Sequence, residues 1–167
     1  MHDLAPGRII GGRFLLDALR TSEQAPVQTW TATDRDSGAT VTVTLLSADS
    51  PLAATAQDAA RRATVVADPR LTQVLDVGTT DGLAWIVEED LPAGRTLADL
   101  VSGEALRGEE ARTLIGEAAG ALALAAERGL HHLRLTPYDV AVTVDGGLKI
   151  RGLGTAHAVA DTGAEPD

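Results

Sequence analysis

The side chains able to do acid–base or metal chemistry are few in this 167-residue chain, and scattered. No cysteine is present, which excludes a disulfide framework and thiolate catalysis and makes a structural zinc site improbable. The four histidines include one adjacent pair, His131-His132, which suits local backbone hydrogen bonding better than a metal. Asp139 follows Pro137-Tyr138, a setting where aspartate caps a turn more often than it ligates a cation. Glu88 is the least ordinary of these residues. It ends the apolar run Leu83-Ala84-Trp85-Ile86-Val87, and a carboxylate on a buried strand needs a partner or stays protonated.

Charge balance narrows the partners. Fourteen Lys and Arg against twenty-four Asp and Glu give a net charge of −10, without the basic footprint of a nucleic-acid binder. The same excess disfavours an anionic membrane surface. The start Met1-His2-Asp3-Leu4 does not resemble a signal peptide, and the apolar stretch at 118–126 is too short to span a bilayer. No direct membrane insertion is expected, so a membrane connection would come through another segment or a partner. The absence of cysteine suits a reducing, cytoplasmic compartment.

The elements that must position these residues fall into two parts. Strand signals cover 13–16, 27–32 and 41–46, and in the third run Val41, Val43 and Leu45 share one face while Thr42 and Thr44 share the other. An Ala-rich helix is expected over 52–66, stopped by Asp68-Pro69. Strands at 71–77 and 83–88 follow, joined by a turn at 78–82. Leu91-Pro92-Ala93-Gly94-Arg95 reads as a hinge. Beyond it come a short helix capped by Thr96, a long helix over 109–128, a hairpin with strands at 140–144 and 148–151, and an acidic, disordered tail. The expected fold is α+β: an N-terminal extension (1–12), a five-stranded antiparallel lobe with one helix (13–91), a partial helical lobe (92–157) and the tail (158–167).

This order resembles a protein-kinase small lobe followed by the start of its large lobe. Val41-Thr42-Val43-Thr44 stands where kinases have V-A-I-K, and Trp85-Ile86-Val87-Glu88-Glu89 resembles the fifth strand and hinge. The run His132-Leu133-Arg134-Leu135-Thr136-Pro137-Tyr138-Asp139 resembles the catalytic loop, and Lys149-Ile150-Arg151-Gly152-Leu153-Gly154 the strand ending in D-F-G. Gly11-Gly12-Arg13-Phe14, Trp30-Thr31-Ala32 and the 68–77 segment are similar, more narrowly, to actinobacterial pseudokinases associated with the MviN-type lipid II flippase. The thirteen residues after Gly154 hold no activation segment, so only part of a large lobe is expected.

The resemblance implies a degenerate catalytic centre. The phosphate loop falls on Thr21-Ser22-Glu23-Gln24-Ala25-Pro26, which lacks glycine. The anchoring lysine falls on Thr44, its helix glutamate on Ala59, the catalytic base on Arg134, the metal-binding Asn on Asp139 and the D-F-G aspartate on Gly152. Arginine cannot accept the proton, so neither catalytic, cofactor nor metal site is expected. The implied function is an inactive regulatory scaffold in control of peptidoglycan precursor export and cell-wall synthesis, recruited to the inner face of the plasma membrane. Its partners would be a second copy, the flippase or a forkhead-associated domain protein. Thr155 and Thr162 lie in the region of interest without matching a phosphorylation motif. Two other readings stay open: a residual nucleotide binder or atypical phosphotransferase using Asp139 and Lys149, and a purely structural domain. The long helix would leave Leu114, Ile115, Leu122 and Leu124 as an apolar interface.

Overall fold

Apolar–polar alternation over residues 9–47 builds four strands that pair in sequence. The computed structural model describes residues 4–91, 95–103, 107–143 and 146–156. In it β1 (Ile9–Ile10), β2 (Phe14–Leu19), β3 (Val27–Asp34) and β4 (Thr40–Ser47) form an antiparallel meander. Helix α1 (Ala53–Ala63) follows, then β5 (Val74–Thr80) and β6 (Leu83–Glu89), and the sheet order is β1-β2-β3-β4-β6-β5.

The sheet therefore has six strands, not five. Residues 9–10 are no mere extension: Ile9 pairs with Leu15, Ile10 pairs with Phe14, and Ile10 is buried. A two-residue strand carries too little alternation to be read from sequence. The strand expected at 71–77 begins instead at Val74. Leu71 forms a parallel bridge to Ile150, and the Thr72 N–H donates to the Ile150 carbonyl at 2.8 Å. That segment is spent on joining the two lobes.

Each face of β4 meets a different environment. Val41, Val43 and Leu45 pack with Phe14, Leu16, Trp30, Trp85 and Val87 in one apolar cluster. On the other face Leu46 joins a second cluster with α1, β6 and the large lobe, while Thr42 and Thr44 turn to a polar cleft. Gly78, expected in the turn, lies within β5, where a Cβ would overlap the Trp85 ring. The turn itself is Asp81-Gly82, both at positive φ, as a tight hairpin requires.

The second lobe contains β7 (Arg95–Thr96), α2 (Leu97–Ser102), α3 (Gly108–Ala126), a 3-10 turn (Pro137–Asp139), β8 (Val140–Val142) and β9 (Leu148–Ile150). The strands form a small sheet in the order β7-β8-β9. Thr96 caps α2 in a reciprocal capping box with Asp99. Leu114, Ala121 and Ala125 bury one side of α3 against the interlobe cluster. Arg70 ties the small lobe to that helix, pairing with Asp68 at 2.6 Å and donating to the Glu117 carbonyl at 3.2 Å. The centre of the hinge, the first residue of the turn expected at Asp145-Gly146-Gly147 and the expected acidic tail lie outside the described residues. Among the described residues, no helix is long and apolar enough to cross a membrane.

Candidate functional site

Between the lobes lies a cleft of about 290 Å³ with β4 as its roof and the 132–139 loop as its floor. Strand alternation places Thr42 and Thr44 there, and Arg134, Asp139 and Gly152 line it from the large lobe. Ala59 is elsewhere. It is fully buried in α1 within the interlobe core, so the helix offers no charged partner to Thr44 at that position. Nearby Gln57 turns to β5, donating to the Gly78 carbonyl at 2.6 Å.

Asp139 is saturated by its neighbours. Oδ2 accepts from the Thr136 N–H (3.0 Å) and hydroxyl (2.7 Å), and Oδ1 accepts from Arg151 Nε at 3.1 Å. The turn-capping expectation holds, with an added ion pair that puts a guanidinium where a metal ion would be sought. Gly152 has φ +87°, and a Cβ there would meet His132 Nε2 at 3.3 Å. His132 Nε2 is hydrogen-bonded to the Arg151 carbonyl at 2.8 Å, in keeping with the backbone-bonding role expected of the pair. Lys149 does not reach the cleft. It pairs with Glu89 at 2.7 Å behind the hinge, because alternation in β9 turns it away from the buried Leu148 and Ile150.

Glu88 is 3% exposed at the back of the cleft, and its Oε1 accepts from the Gly154 N–H at 3.0 Å. Burial pushes its carboxyl up to about 7, only partly offset by that bond and by the charge of Arg151. The partners a buried carboxylate demands are thus the Gly154 amide and the Thr155 hydroxyl, with no cation in salt-bridge contact among the described residues.

The sequence pattern does not single out Arg20, Asp90 or Arg151. Arg20, just past β2, reaches over β3 and β4 to donate to Thr31 at 2.7 Å and to pair with Asp90 at 2.9 Å. Asp90 in turn accepts from Thr42 at 2.8 Å. Burial alone would raise the Asp90 carboxyl, but the bonds from Arg20 and Thr42 outweigh it and hold it below its ordinary value. Arg20 and Asp90 are 70 positions apart and meet only after pairing through β4, so no local signal could reveal this clamp. The loop at 21–26 is held by its own bonds: Thr21 Oγ1 accepts from the Thr29 N–H, and Gln28 donates to the Glu23 carbonyl.

The expected apolar interface is redrawn. Leu114 is 7% exposed and faces the core, Leu122 and Leu124 are half-buried, and Ile115 is 65% exposed. The exposed side of α3 carries Ile115 with Gly116, Ala119 and Ala123.

With this geometry in view, comparison with known proteins supports a protein-kinase-like fold. A mutant form of the Mycobacterium tuberculosis PknI kinase domain superposes with a TM-score of 0.69 at 21% identity, covering 92% of this chain and 63% of that one. A probable serine/threonine-protein kinase of Clostridium perfringens is 33% identical over 103 residues, which is 59% of this chain and 15% of that protein. No family model matches. The chain has a protein-kinase-like fold and spans less than two thirds of the length of either of these proteins.

Proposed function

We propose that the chain is a catalytically inactive kinase-fold module that works as a regulatory protein-interaction scaffold. The observation that carries this reading is the self-saturation of the cleft. Asp139 is bonded to Arg151 and Thr136, Asp90 to Arg20 and Thr42, and Glu88 to Gly154. Phosphoryl transfer needs a cation clamp and a base, but here Thr44 and Gly152 carry no charge and Arg134 cannot accept a proton. A ligand that binds only the folded state raises its melting temperature by mass action. Millimolar Mg-ATP is expected to leave the melting temperature unchanged. A Mg-dependent rise that disappears in Asp139→Ala would overturn the proposal in favour of a residual nucleotide binder.

The resemblance to flippase-associated pseudokinases supports extending the proposal to control of peptidoglycan precursor export at the inner face of the membrane. A forkhead-associated domain protein is one partner in this reading. A phosphorylation-dependent pull-down with such a domain tests it, and capture regardless of phosphorylation counts against it. For self-association the exposed face of α3 fits a second copy. Arg112 and Glu127 lie ~22 Å apart along α3 at ~1.5 Å per residue. Antiparallel copies crossing near Ala119 set each Arg112 against the other's Glu127. Arg112→Glu and Glu127→Arg should each weaken the homodimer, and an equimolar mixture should restore pairing. A chain that is monomeric at all concentrations removes this partner.

A further inference from the structure

We propose that the roof of the cleft is a guanidinium-binding site which Arg20 fills from within the chain, so that a guanidinium from outside enters by replacing the Arg20 side chain. Three acceptors in a row across the sheet build it: Thr31 on β3, Thr42 on β4 and Asp90 just past β6. Each nitrogen of the Arg20 guanidinium meets a different one. Nε donates to Thr31 Oγ1 at 2.7 Å, Nη1 to Thr42 Oγ1 at 3.4 Å and Nη2 to Asp90 Oδ2 at 2.9 Å. Acceptors spread over three strands suit a planar fork of donors, and a point-charge ammonium does not reach them together. The row is set by the sheet itself. Thr31 and Thr42 are direct cross-strand partners, so both hydroxyls lie on one face. The Thr42 hydroxyl donates to Asp90 Oδ1 at 2.8 Å, which leaves its oxygen lone pairs for the guanidinium.

The site is sheltered where it accepts and open where it is filled. Thr42 is 6% exposed and the Asp90 side chain 19%, while the Arg20 side chain is 30% exposed. Swinging Arg20 out takes side-chain rotation alone, its backbone N–H staying bonded to the Thr29 carbonyl at 2.8 Å. Both apolar clusters pack without it. An emptied site would leave the Asp90 carboxylate partly desolvated and without its cation, which is costly. Exchange of one guanidinium for another avoids that cost. Of the other cations lining the cleft, Arg151 is paired with Asp139 and Arg134 belongs to the large-lobe loop, whereas all three acceptors belong to the small lobe. The net charge of −10 draws cationic ligands towards the chain. The ligand class is thus a guanidinium, carried by a partner's arginine or by a free small molecule. The site does not depend on whether the cleft takes nucleotide.

Binding of methylguanidinium to the whole chain tests this, followed by thermal melting at constant ionic strength. Arg20→Ala should show a saturable rise in melting temperature, half-complete in the millimolar range expected of so small a ligand. Adding Asp90→Asn should weaken that binding about tenfold or more. Methylammonium, a charge without the fork, should give no saturable rise. The wild-type chain should not respond at those concentrations, because its tethered side chain competes at an effective concentration of at least the millimolar order. A second arm uses Nα-acetylargininamide: binding there assigns the guanidinium to a peptide-borne arginine, and binding of methylguanidinium alone to a free small molecule. Equal responses in wild type and Arg20→Ala, or no saturable response in a folded Arg20→Ala, would overturn the site. Should Arg20→Ala not fold, NMR of the Arg20 Nε–H in the wild-type chain supplies the second measurement. Its exchange with solvent should quicken about tenfold in Asp90→Asn and in Thr31→Val. Equal exchange in all three chains would also overturn the proposal.

Discussion

The two faces of β4 were built by one alternating run and met opposite fates. On one face Val41, Val43 and Leu45 are sealed with Phe14, Trp30 and Trp85, and the ring contact of Phe14 with Trp85, at 5.9 Å between centroids, needs no polar help. On the other face Thr42 and Thr44 look into a cleft whose charged groups are held by single bonds, Arg20 with Asp90 in the small lobe and Arg151 with Asp139 in the large lobe. Apolar packing is non-directional and collective, so the first face tolerates an approximate pattern. The second depends on single bonds, each with a named partner, and loses specificity when any one is removed.

That contrast can be broken most forcefully from the apolar side. Phe14→Ala should lower unfolding free energy by about 4 kcal/mol, read by urea denaturation, because a large aromatic leaves a cavity in a packed cluster. A loss below about 1 kcal/mol would mean that the sheet face can collapse and is not the rigid partner in the comparison.

The next effect belongs to the cleft and is a pH dependence. Glu88 titrates at about 7 in the folded chain against an ordinary value of 4.5. The folded state therefore binds more protons than the unfolded state between those values. Stability should fall as pH rises through that window, by up to about 3 kcal/mol at about 1.4 kcal/mol per unit. Glu88→Gln should flatten this slope, and denaturation of both chains from about pH 4.5 to about pH 7.5 compares them directly.

Smaller effects sharpen the contrast between bonds that organise the cleft and bonds that only decorate its back. Arg151→Ala removes the cation from Asp139 and from the vicinity of Glu88, and should cost about 1–2 kcal/mol. It should also raise the Glu88 titration midpoint, which NMR can follow. Lys149→Ala breaks a partly exposed pair with Glu89 and should cost about 0.5 kcal/mol, declining further in salt. Equal costs for the two arginine and lysine variants would erase the distinction between the cleft and its outer rim.

Sequence alone determined the alternating face of Val41, Val43 and Leu45, the helix after β4, the Thr96 cap and the place of a long helix before a small hairpin. These rest on side-chain period and on hydrogen bonds a few residues apart, which every chain with this local sequence must satisfy. It also marked Glu88 as needing a partner, because a carboxylate within an apolar strand is unusual before any fold is known. Tertiary structure decided who that partner is. Gly154 is 66 positions away, and it meets Glu88 only after the two lobes are joined through Leu71 and Ile150. The same holds for Arg20 with Asp90 and for the sixth strand at Ile9–Ile10. The fate of Leu114 was also tertiary. Its helical spacing marks an apolar face, but only the docking of α3 chose which apolar residues to bury and left Ile115 outside. Periodicity is a property of neighbours along the chain, whereas the partner of a polar group is fixed by how distant segments pack.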